Sequence, residues 1–184
     1  MLSRRFIPQG TFHYDSNIWT NHETFNIAGG ETIFDTQETK LATYWDTPFT
    51  KICLGMKIRG EENISFLAIN QEADSLYSLI ADGQHRATSL GRDTWKTLIG
   101  SQASLQINCN MEGFNTRCFW GPSSRARIGL VANNQYNCWT CDSRIGFGTG
   151  GSPDDTNTCG NTARNLDNVT KAVNYKAMGY IFVC

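Results

Sequence analysis

The sequence lacks a strong net charge, a long hydrophobic run and a leader-like start. Its 184 residues carry a formal net charge of −1, and only Arg4-Arg5 and Arg125/Arg127 form tight basic groups. A nucleic-acid-binding protein would show a basic stripe, so we expect no nucleic-acid partner. No run approaches the roughly 18 apolar residues of a membrane helix, and the start MLSRRFIPQG has no apolar core. We therefore expect neither a membrane span nor a signal peptide.

The motifs of common catalytic sites are also missing. His13, His22 and His85 are far apart in the sequence, and none shares a metalloprotease-like spacing with a carboxylate. There is no GxSxG turn for a nucleophilic serine. The sequence therefore predicts a protein that is not an enzyme.

Cysteine, by contrast, is abundant. Seven cysteines are many for a cytosolic protein of this size and natural for a disulfide-bonded secreted one. Asn63 and Asn168 each begin a glycosylation sequon, which agrees with a secreted glycoprotein. The odd count leaves one thiol free, bonded to another chain in a homo-oligomer, or separated from its partner. Since no signal peptide is visible, we expect the chain to be a fragment that lacks part of its N-terminus.

The hydrophobic pattern favours a single α+β, loop-rich domain over residues 1–184, with a poorly patterned N-terminal segment at 1–13. Alternating apolar residues predict a strand over Ile52–Ile58. Further strands are predicted at Ile64–Ile69, Ile128–Val131 and Met178–Val183, a hairpin turn at Asp82-Gly83 and a short helix capped by Asp93. Residues 102–125 and 132–176 show no regular pattern, so we expect long loops pinned by disulfides.

Residues 126–161 carry the strongest functional signal. Three cysteines bracket a glycine-rich segment dense in oxygen ligands, which are Asp142, Asp154, Asp155, Asn157 and Asn161. Calcium takes oxygen ligands almost exclusively, so a calcium site is one interpretation, and turn capping by the same side chains is the other. An EF-hand is excluded because Leu166 stands where the bidentate glutamate is required. The run Gly146, Gly148, Gly150 and Gly151 predicts a tight loop without room for side chains.

Cys138-Trp-Thr-Cys141 forms a CxxC motif with three interpretations. A zinc site needs two more ligands, and the sequence offers no second CxxC or paired histidines. A thioredoxin-like redox pair needs a strand–helix setting that this turn-rich region lacks. We favour structural disulfides in which each of the two cysteines bonds elsewhere. A Cys141–Cys159 bridge would close a loop of about 19 residues and stabilise the fold by about 3 kcal/mol.

Several segments resemble a domain of coral skeletal organic matrix proteins and related secreted animal proteins over residues 14–183. They are WTNHETFN (19–26), ETKLATYWDTPFTKICLGMK (38–57), SLYSLIADGQHRATSLGRDTWKTLIG (75–100), CNMEGF (109–114) and ARIGLVANN…CDSRIGFG (126–148). Their order and spacing are in turn similar to the fibrinogen-related fold of intelectins, the X-type lectins. That resemblance implies a fibrinogen C-terminal-like domain, here without its usual opening cysteine-and-GGWT segment.

Intelectins bind exocyclic sugar diols through a protein-held calcium ion. The resemblance implies calcium ligands at Asn134 and Asp142, and at Asp154 with Asp155 beside it. It implies ligand-binding positions at Asn133, Trp139 and Tyr175, and a Cys109–Cys138 bridge. Cys141 and Trp139 replace the glutamate and asparagine that flank the calcium ligand in intelectins, and Tyr175 is the only aromatic residue between Asn161 and Lys176.

These observations predict a secreted, calcium-dependent carbohydrate-recognition domain whose partners are glycans or glycoproteins. The alternative is a structural or adhesive module of the extracellular matrix without sugar affinity. The two differ in whether oxygen ligands and aromatic side chains converge on one surface.

Overall fold

A computed structural model describes residues 10–30, 32, 34 and 36–184. The predicted N-terminal segment 1–13 lies outside the described residues as far as residue 9. The strands, numbered along the chain, are β1 (Phe49–Ile58), β2 (Ser65–Ala73), β3 (Arg86–Ala87), β4 (Asn108–Arg117), β5 (Arg125–Asn133), β6 (Ser143–Gly150), β7 (Cys159–Ala163) and β8 (Val173–Val183). Among the described residues the helices are short: α1 (Thr43–Asp46), α2 (Leu76–Ile80), α3 (Arg92–Lys96) and 3-10 turns at Asn17–Trp19, Ile27–Gly30 and Gly100–Gln102.

The eight strands form one antiparallel sheet in the order β2-β1-β8-β7-β6-β5-β4-β3. Strand β8 is the third strand from the β2 edge and joins two parts of the sheet. Its residues 173–176 pair with β7, and its residues 177–183 pair with β1. The sheet curls into a half-barrel, and β4 bends strongly, with left-handed backbone at Cys109, Asn110, Gly113 and Asn115.

The α+β prediction is wrong, because the fold is mostly antiparallel β with only 14 % helix. Strands β4, β6 and β7 run through segments that the sequence predicted as loops. Every residue of β6, and every residue of β5 except Arg125, is buried. A strand that is covered on both faces shows no alternation of polar and apolar residues, so the period-2 signal is lost.

The predicted hairpin turn at Asp82-Gly83 is also wrong, because the segment before it is helix α2. Ser75 caps this helix, and its side chain accepts a hydrogen bond of 3.1 Å from the backbone N–H of Ser78. The Ser78 hydroxyl in turn accepts from the N–H of Ser75, at 3.3 Å. This reciprocal capping satisfies backbone donors that a short helix would otherwise leave unpaired.

The hydrophobic core lies between the sheet and the short helices. Strand β1 contributes Ile52, Leu54 and Met56, which alternate along the strand and are buried. Trp95 of α3 is fully buried in the same cluster, as is Phe114 of β4. A second, smaller cluster lies beside the cysteines and consists of Cys118, Val131 and Cys141, with Cys109, Met111 and Cys138 packed against it.

Gly146, Gly148 and Gly150 lie in strand β6 and Gly151 lies in the turn after it, so the prediction of a loop is wrong. The prediction that these glycines leave no room for side chains is confirmed. A Cβ atom on Gly146 would lie 2.5 Å from the carbonyl oxygen of Ile128 on the neighbouring strand. Gly151 has φ of 78°, and its Cβ would lie 2.0 Å from the carbonyl oxygen of Ser123. Both positions therefore require glycine.

Candidate functional site

Two disulfides join the loop between β4 and β5 (residues 118–124), the start of β4 and the loop between β5 and β6 (residues 134–142). The predicted Cys109–Cys138 bridge is confirmed. The predicted Cys141–Cys159 bridge is wrong, because Cys141 bonds to Cys118. Cys159 lies on β7 with its Sγ beside Gly179 of β8, and it packs against the main core, whereas Cys141 belongs to the smaller cluster. The two disulfides fit an extracellular or secreted protein.

Three cysteines of the described chain, Cys53, Cys159 and Cys184, are free thiols. Cys159 lines a mostly apolar cavity of about 510 Å³ between β8 and the segment that precedes β1. Burial raises the pKa of the Cys159 thiol, and the nearby Glu38 carboxyl raises it further. A thiol with a raised pKa is a poor nucleophile and a poor metal ligand, so we assign Cys159 no chemical role.

Asp154 and Asp155 lie in the turn between β6 and β7 (residues 151–158), which we call the acidic loop. Asp154 Oδ1 accepts from Thr156, and its Oδ2 accepts from the Asn174 amide at 2.6 Å. Asp155 Oδ1 accepts from the backbone N–H of Gly151 and lies 3.0 Å from Nε2 of His13. Both carboxylates are therefore engaged by groups of the protein itself.

The cation at the centre of the acidic loop is Arg144 of β6, which was not among the site residues predicted from the sequence. Its side chain is buried, with 1 % exposure, and its guanidinium donates to four backbone carbonyls of the loop, those of Gly151, Ser152, Asp154 and Asn157. Burial lowers the pKa of Arg144 to about 10, so the group remains protonated at neutral pH. A single charged residue inside a buried glycine-rich strand is the sequence signal that could have identified it.

Asn134 and Asp142 lie at the two ends of the β5–β6 loop. The side-chain oxygen Oδ1 of Asn134 is buried without a hydrogen-bond partner among the described residues. Asp142 Oδ1 accepts from the Ser152 hydroxyl at 3.2 Å and lies 3.6 Å from the Arg164 guanidinium. Asn133 is buried, and its amide donates to the Asn137 carbonyl at 2.7 Å, which shapes the loop.

The carboxylates of Asp142, Asp154 and Asp155 all accept hydrogen bonds from the protein, and the Asn134 side-chain oxygen has no partner among the described residues. In the described parts of the chain, the one group of three histidine, cysteine or acidic side chains with ligand atoms all within 4.8 Å is Cys109, Cys118 and Cys141. Calcium binding therefore stays a prediction. Asn157 and Asn161 also bond within the protein, Asn157 to Asn174 and Asn161 to Ser104.

Trp139 is one of four exposed aromatic residues on the disulfide-bonded loops, which we call the aromatic patch. Their exposed fractions are 73 % for Phe119, 64 % for Trp120, 96 % for Tyr136 and 58 % for Trp139. Backbone hydrogen bonds join the two loops, from Phe119 N–H to the Cys138 carbonyl at 3.1 Å and from Trp120 N–H to the Trp139 carbonyl at 2.9 Å. Of these four residues only Trp139 was predicted from the sequence, because no sequence pattern indicates the pairing of Cys118 that brings Phe119 and Trp120 alongside it.

Tyr175, the other predicted aromatic contact, lies elsewhere. It is half-buried on β8 opposite Asn161 and packs against the main core, whereas the disulfide-bonded loops pack on the smaller cluster. The sequon residues Asn63 and Asn168 are both exposed, so glycosylation of either remains a prediction.

Comparison of the chain with protein-family models, curated proteins and solved structures finds no match. The likeness to fibrinogen-related and intelectin domains thus depends on the sequence segments alone. None of the described helices is long and apolar enough to cross a membrane.

Proposed function

We propose that the chain is an extracellular recognition domain that binds glycans through the aromatic patch. The observation that carries the proposal is the exposure of four large aromatic side chains on two loops that are cross-linked to each other. Exposed aromatic groups gathered on one region of a soluble protein mark an interaction site more often than isolated apolar residues do. Their flat apolar faces suit the C–H faces of sugar rings, while neighbouring amides suit hydroxyl groups.

The composition of the loops favours an uncharged ligand. Asp142, whose side chain is 16 % exposed, is the one charged residue in the loops 118–124 and 134–142, and neither loop contains His. Gln135, Asn137 and Thr140 are exposed beside the aromatic side chains and offer neutral donors and acceptors. A neutral glycan presents this same combination of apolar faces and uncharged hydroxyls, whereas a nucleic acid requires positive charge.

The cross-linking of the loops supports binding because it limits the entropy lost when a ligand orders them. The two disulfides and the backbone hydrogen bonds of Phe119 and Trp120 hold the loops before any ligand arrives. Preorganisation of this kind raises affinity without new contacts.

One further observation favours the alternative, a structural or adhesive matrix module. A second pair of exposed aromatic side chains consists of Phe66 on β2 and Phe34, which lies near β8. Each is about half exposed, and their ring centroids lie 6.1 Å apart. Phe34 also contacts Tyr180 and Phe182 of β8. Two separate apolar surfaces on one chain suit a module that bridges protein partners in a matrix.

A glycan array followed by titration calorimetry on the best sugar distinguishes the two functions. We expect the wild-type chain to bind, Trp139→Ala to weaken binding at least tenfold, and Phe66→Ala, on the other aromatic surface, to leave it unchanged. Thermal unfolding checks that each variant is folded; truncating exposed Trp139 should change the free energy of unfolding by less than about 0.5 kcal/mol.

Absence of sugar binding by the folded wild-type chain would contradict the glycan function and leave the matrix module. Repeating the titration with calcium and with a chelator tests the calcium prediction separately. Sugar binding that is unchanged by the chelator would retain the aromatic patch and remove calcium from the function.

A further inference from the structure

The four cysteines of the disulfide-bonded loops form one cluster, although their two bonds are separate. Sγ of Cys109 lies 3.9 Å from Sγ of Cys118 and 3.8 Å from Sγ of Cys141, and Cys138 joins the cluster through its bond to Cys109. The bend in β4 makes this arrangement, because Cys109 begins the strand and Cys118 follows its end. We propose that, when both disulfides are reduced, Cys109, Cys118, Cys138 and Cys141 bind one zinc ion as a tetrahedral four-thiolate site.

The distances between the two disulfides match those of such a site. Zinc–thiolate bonds of about 2.3 Å place the sulfurs of a tetrahedral site about 3.8 Å apart. The distances of Cys109 Sγ to the sulfurs of Cys118 and Cys141 already have this length. Cys109, Cys118 and Cys141 already lie within 4.8 Å of one another, whereas Cys138 is outside that group. The two bonded pairs must therefore separate, and Cys138 Sγ must move toward Cys118 and Cys141 when the site forms. The CxxC motif lacked a second ligand pair in the sequence, and the fold supplies it from the two ends of β4.

The surroundings suit a structural metal site. Cys118 and Cys141 are buried, with 6 % and 0 % exposure, and Val131 and Met111 pack against them. Apolar packing excludes water that would otherwise compete for the metal. Four protein ligands and no open position make the site structural rather than catalytic.

Formation of the zinc site takes two steps, reduction of the disulfides and binding of the metal. Each disulfide accepts two electrons from a phosphine reductant and two protons from water, and the phosphine leaves as its oxide with the oxygen of that water. This step yields four thiols in total. Binding of one zinc ion then releases four protons and leaves a four-thiolate complex of formal charge −2. Oxidation and zinc binding therefore exclude each other at the same four sulfurs.

The test uses the full chain reduced with a phosphine, with cobalt(II) as a spectroscopic substitute for zinc. We expect one cobalt per chain, with the intense visible bands of a tetrahedral thiolate site, and loss of those bands when zinc is added. The oxidised chain should give no such spectrum. If reduction unfolds the chain, the metal should restore the far-ultraviolet circular dichroism of the β fold, because site formation and folding are coupled.

Variants assign the ligands. Cys118→Ser should abolish the tetrathiolate spectrum, while Cys53→Ser, Cys159→Ala and Cys184→Ser, each made singly, should retain it. The proposal is overturned if the reduced wild-type chain shows no tetrahedral spectrum, if Cys118→Ser keeps it, or if the metal leaves a reduced, unfolded chain unfolded.

Discussion

The acidic loop and the disulfide-bonded loops are neighbours that are stabilised in different ways. The Ser152 N–H of the acidic loop donates to the Pro122 carbonyl of the β4–β5 loop, and the Ser124 hydroxyl donates to the Ser152 carbonyl. The acidic loop is held from inside, because the buried guanidinium of Arg144 bonds to carbonyls of Gly151, Ser152, Asp154 and Asn157. The disulfide-bonded loops are held covalently, through Cys109–Cys138 and Cys118–Cys141. In the acidic loop, polar groups form hydrogen bonds with other groups of the protein. In the disulfide-bonded loops, the aromatic side chains are left exposed to solvent.

This difference locates the candidate recognition surface. Acidic residues on a glycine-rich turn suggested a cation from solution, yet a protein cation already lies among the carbonyls of that turn. Within the part of the chain that the structure describes, the exposed aromatic side chains of the other loops have no such charged partner. A cluster of polar residues in a sequence is thus a weaker indication of a binding surface than exposed side chains that make no hydrogen bond or ion pair within the folded protein.

The largest effect should come from removing the internal cation. Arg144→Met keeps much of the side-chain volume but removes the guanidinium donor of four carbonyls. The carbonyls of Ser152, Asp154 and Asn157 each keep one further donor, and that of Gly151 loses its guanidinium bond. We expect a loss of about 3–5 kcal/mol in the free energy of unfolding, the range for breaking a buried charged interaction. Urea denaturation followed by tryptophan fluorescence measures it.

Arg164→Met is the matched control, because the Arg164 side chain is 52 % exposed and only approaches Asp142, at 3.6 Å. Its change in stability should stay below about 1 kcal/mol, the upper end for exposed ion pairs. Equal effects of the two substitutions would show that the buried guanidinium does not organise the acidic loop.

The next effect should come from removing one cross-link. The double variant Cys118→Ala, Cys141→Ala opens a disulfide with a sequence separation of 23 residues. The chain-entropy estimate for a loop of this size is about 3 kcal/mol of lost stability. Thermal unfolding measures the loss, with exposed Cys184→Ala as the control.

The double variant Cys118→Ala, Cys141→Ala should also weaken sugar binding, whereas folded Arg144→Met should bind sugar normally. The reverse pattern would place the recognition surface on the acidic loop.

The smallest effect should be a local response to acid. The hydrogen bond from the Gly151 N–H, opposed by burial and helped by His13, holds the pKa of Asp155 below its ordinary value. A carboxyl group with a lowered pKa in the folded state stabilises the fold fully above its unfolded-state pKa of about 3.9. That contribution is lost as the pH falls through the lower, folded-state pKa.

Amide resonances in a pH titration by NMR report this response separately for the two regions. The Gly151 amide should shift below pH ~4, whereas the Trp120 amide should not, because its loop contains no group that titrates in acid. Asp155→Asn should remove the Gly151 response. A Gly151 amide that is insensitive to acid in the wild-type chain would contradict the assigned hydrogen bond.

The sequence predicted those strands whose apolar residues alternate with other residues or form an apolar run. Strands β1 and β2 follow the predicted alternation, and the predicted strands in β5 and β8 and the helix near Asp93 are present. Strand β6 was missed because it is buried on both faces and contains Gly146, Gly148 and Gly150, so that it shows neither a polar–apolar alternation nor an apolar run. Helix α2 was missed because its cap uses Ser78 in place of the usual glutamate.

The site was predictable only where a local motif or the resemblance supplied it. The Cys109–Cys138 bridge and the role of Trp139 were predicted from the resemblance. The pairing of Cys118 depends on the bend in β4, which no local sequence pattern predicts. Arg144 was missed because its partners are backbone carbonyls, and any sequence could supply those. The position of a charge relative to backbone groups is a property of the fold rather than of neighbouring residues.

The interior position of β8, the last of the eight strands along the chain, has a consequence for folding during synthesis. During synthesis every other strand of the sheet leaves the ribosome before residues 173–183 do. Until then β1 and β7 each present an unpaired edge, because β8 is the strand that lies between them. The β1–β2 hairpin and the β3–β7 meander are then two half-sheets with open edges, which are prone to pair with other chains. Correct folding in the cell thus depends on a late insertion, and translation pauses or chaperones that shield these edges should raise the yield of native protein.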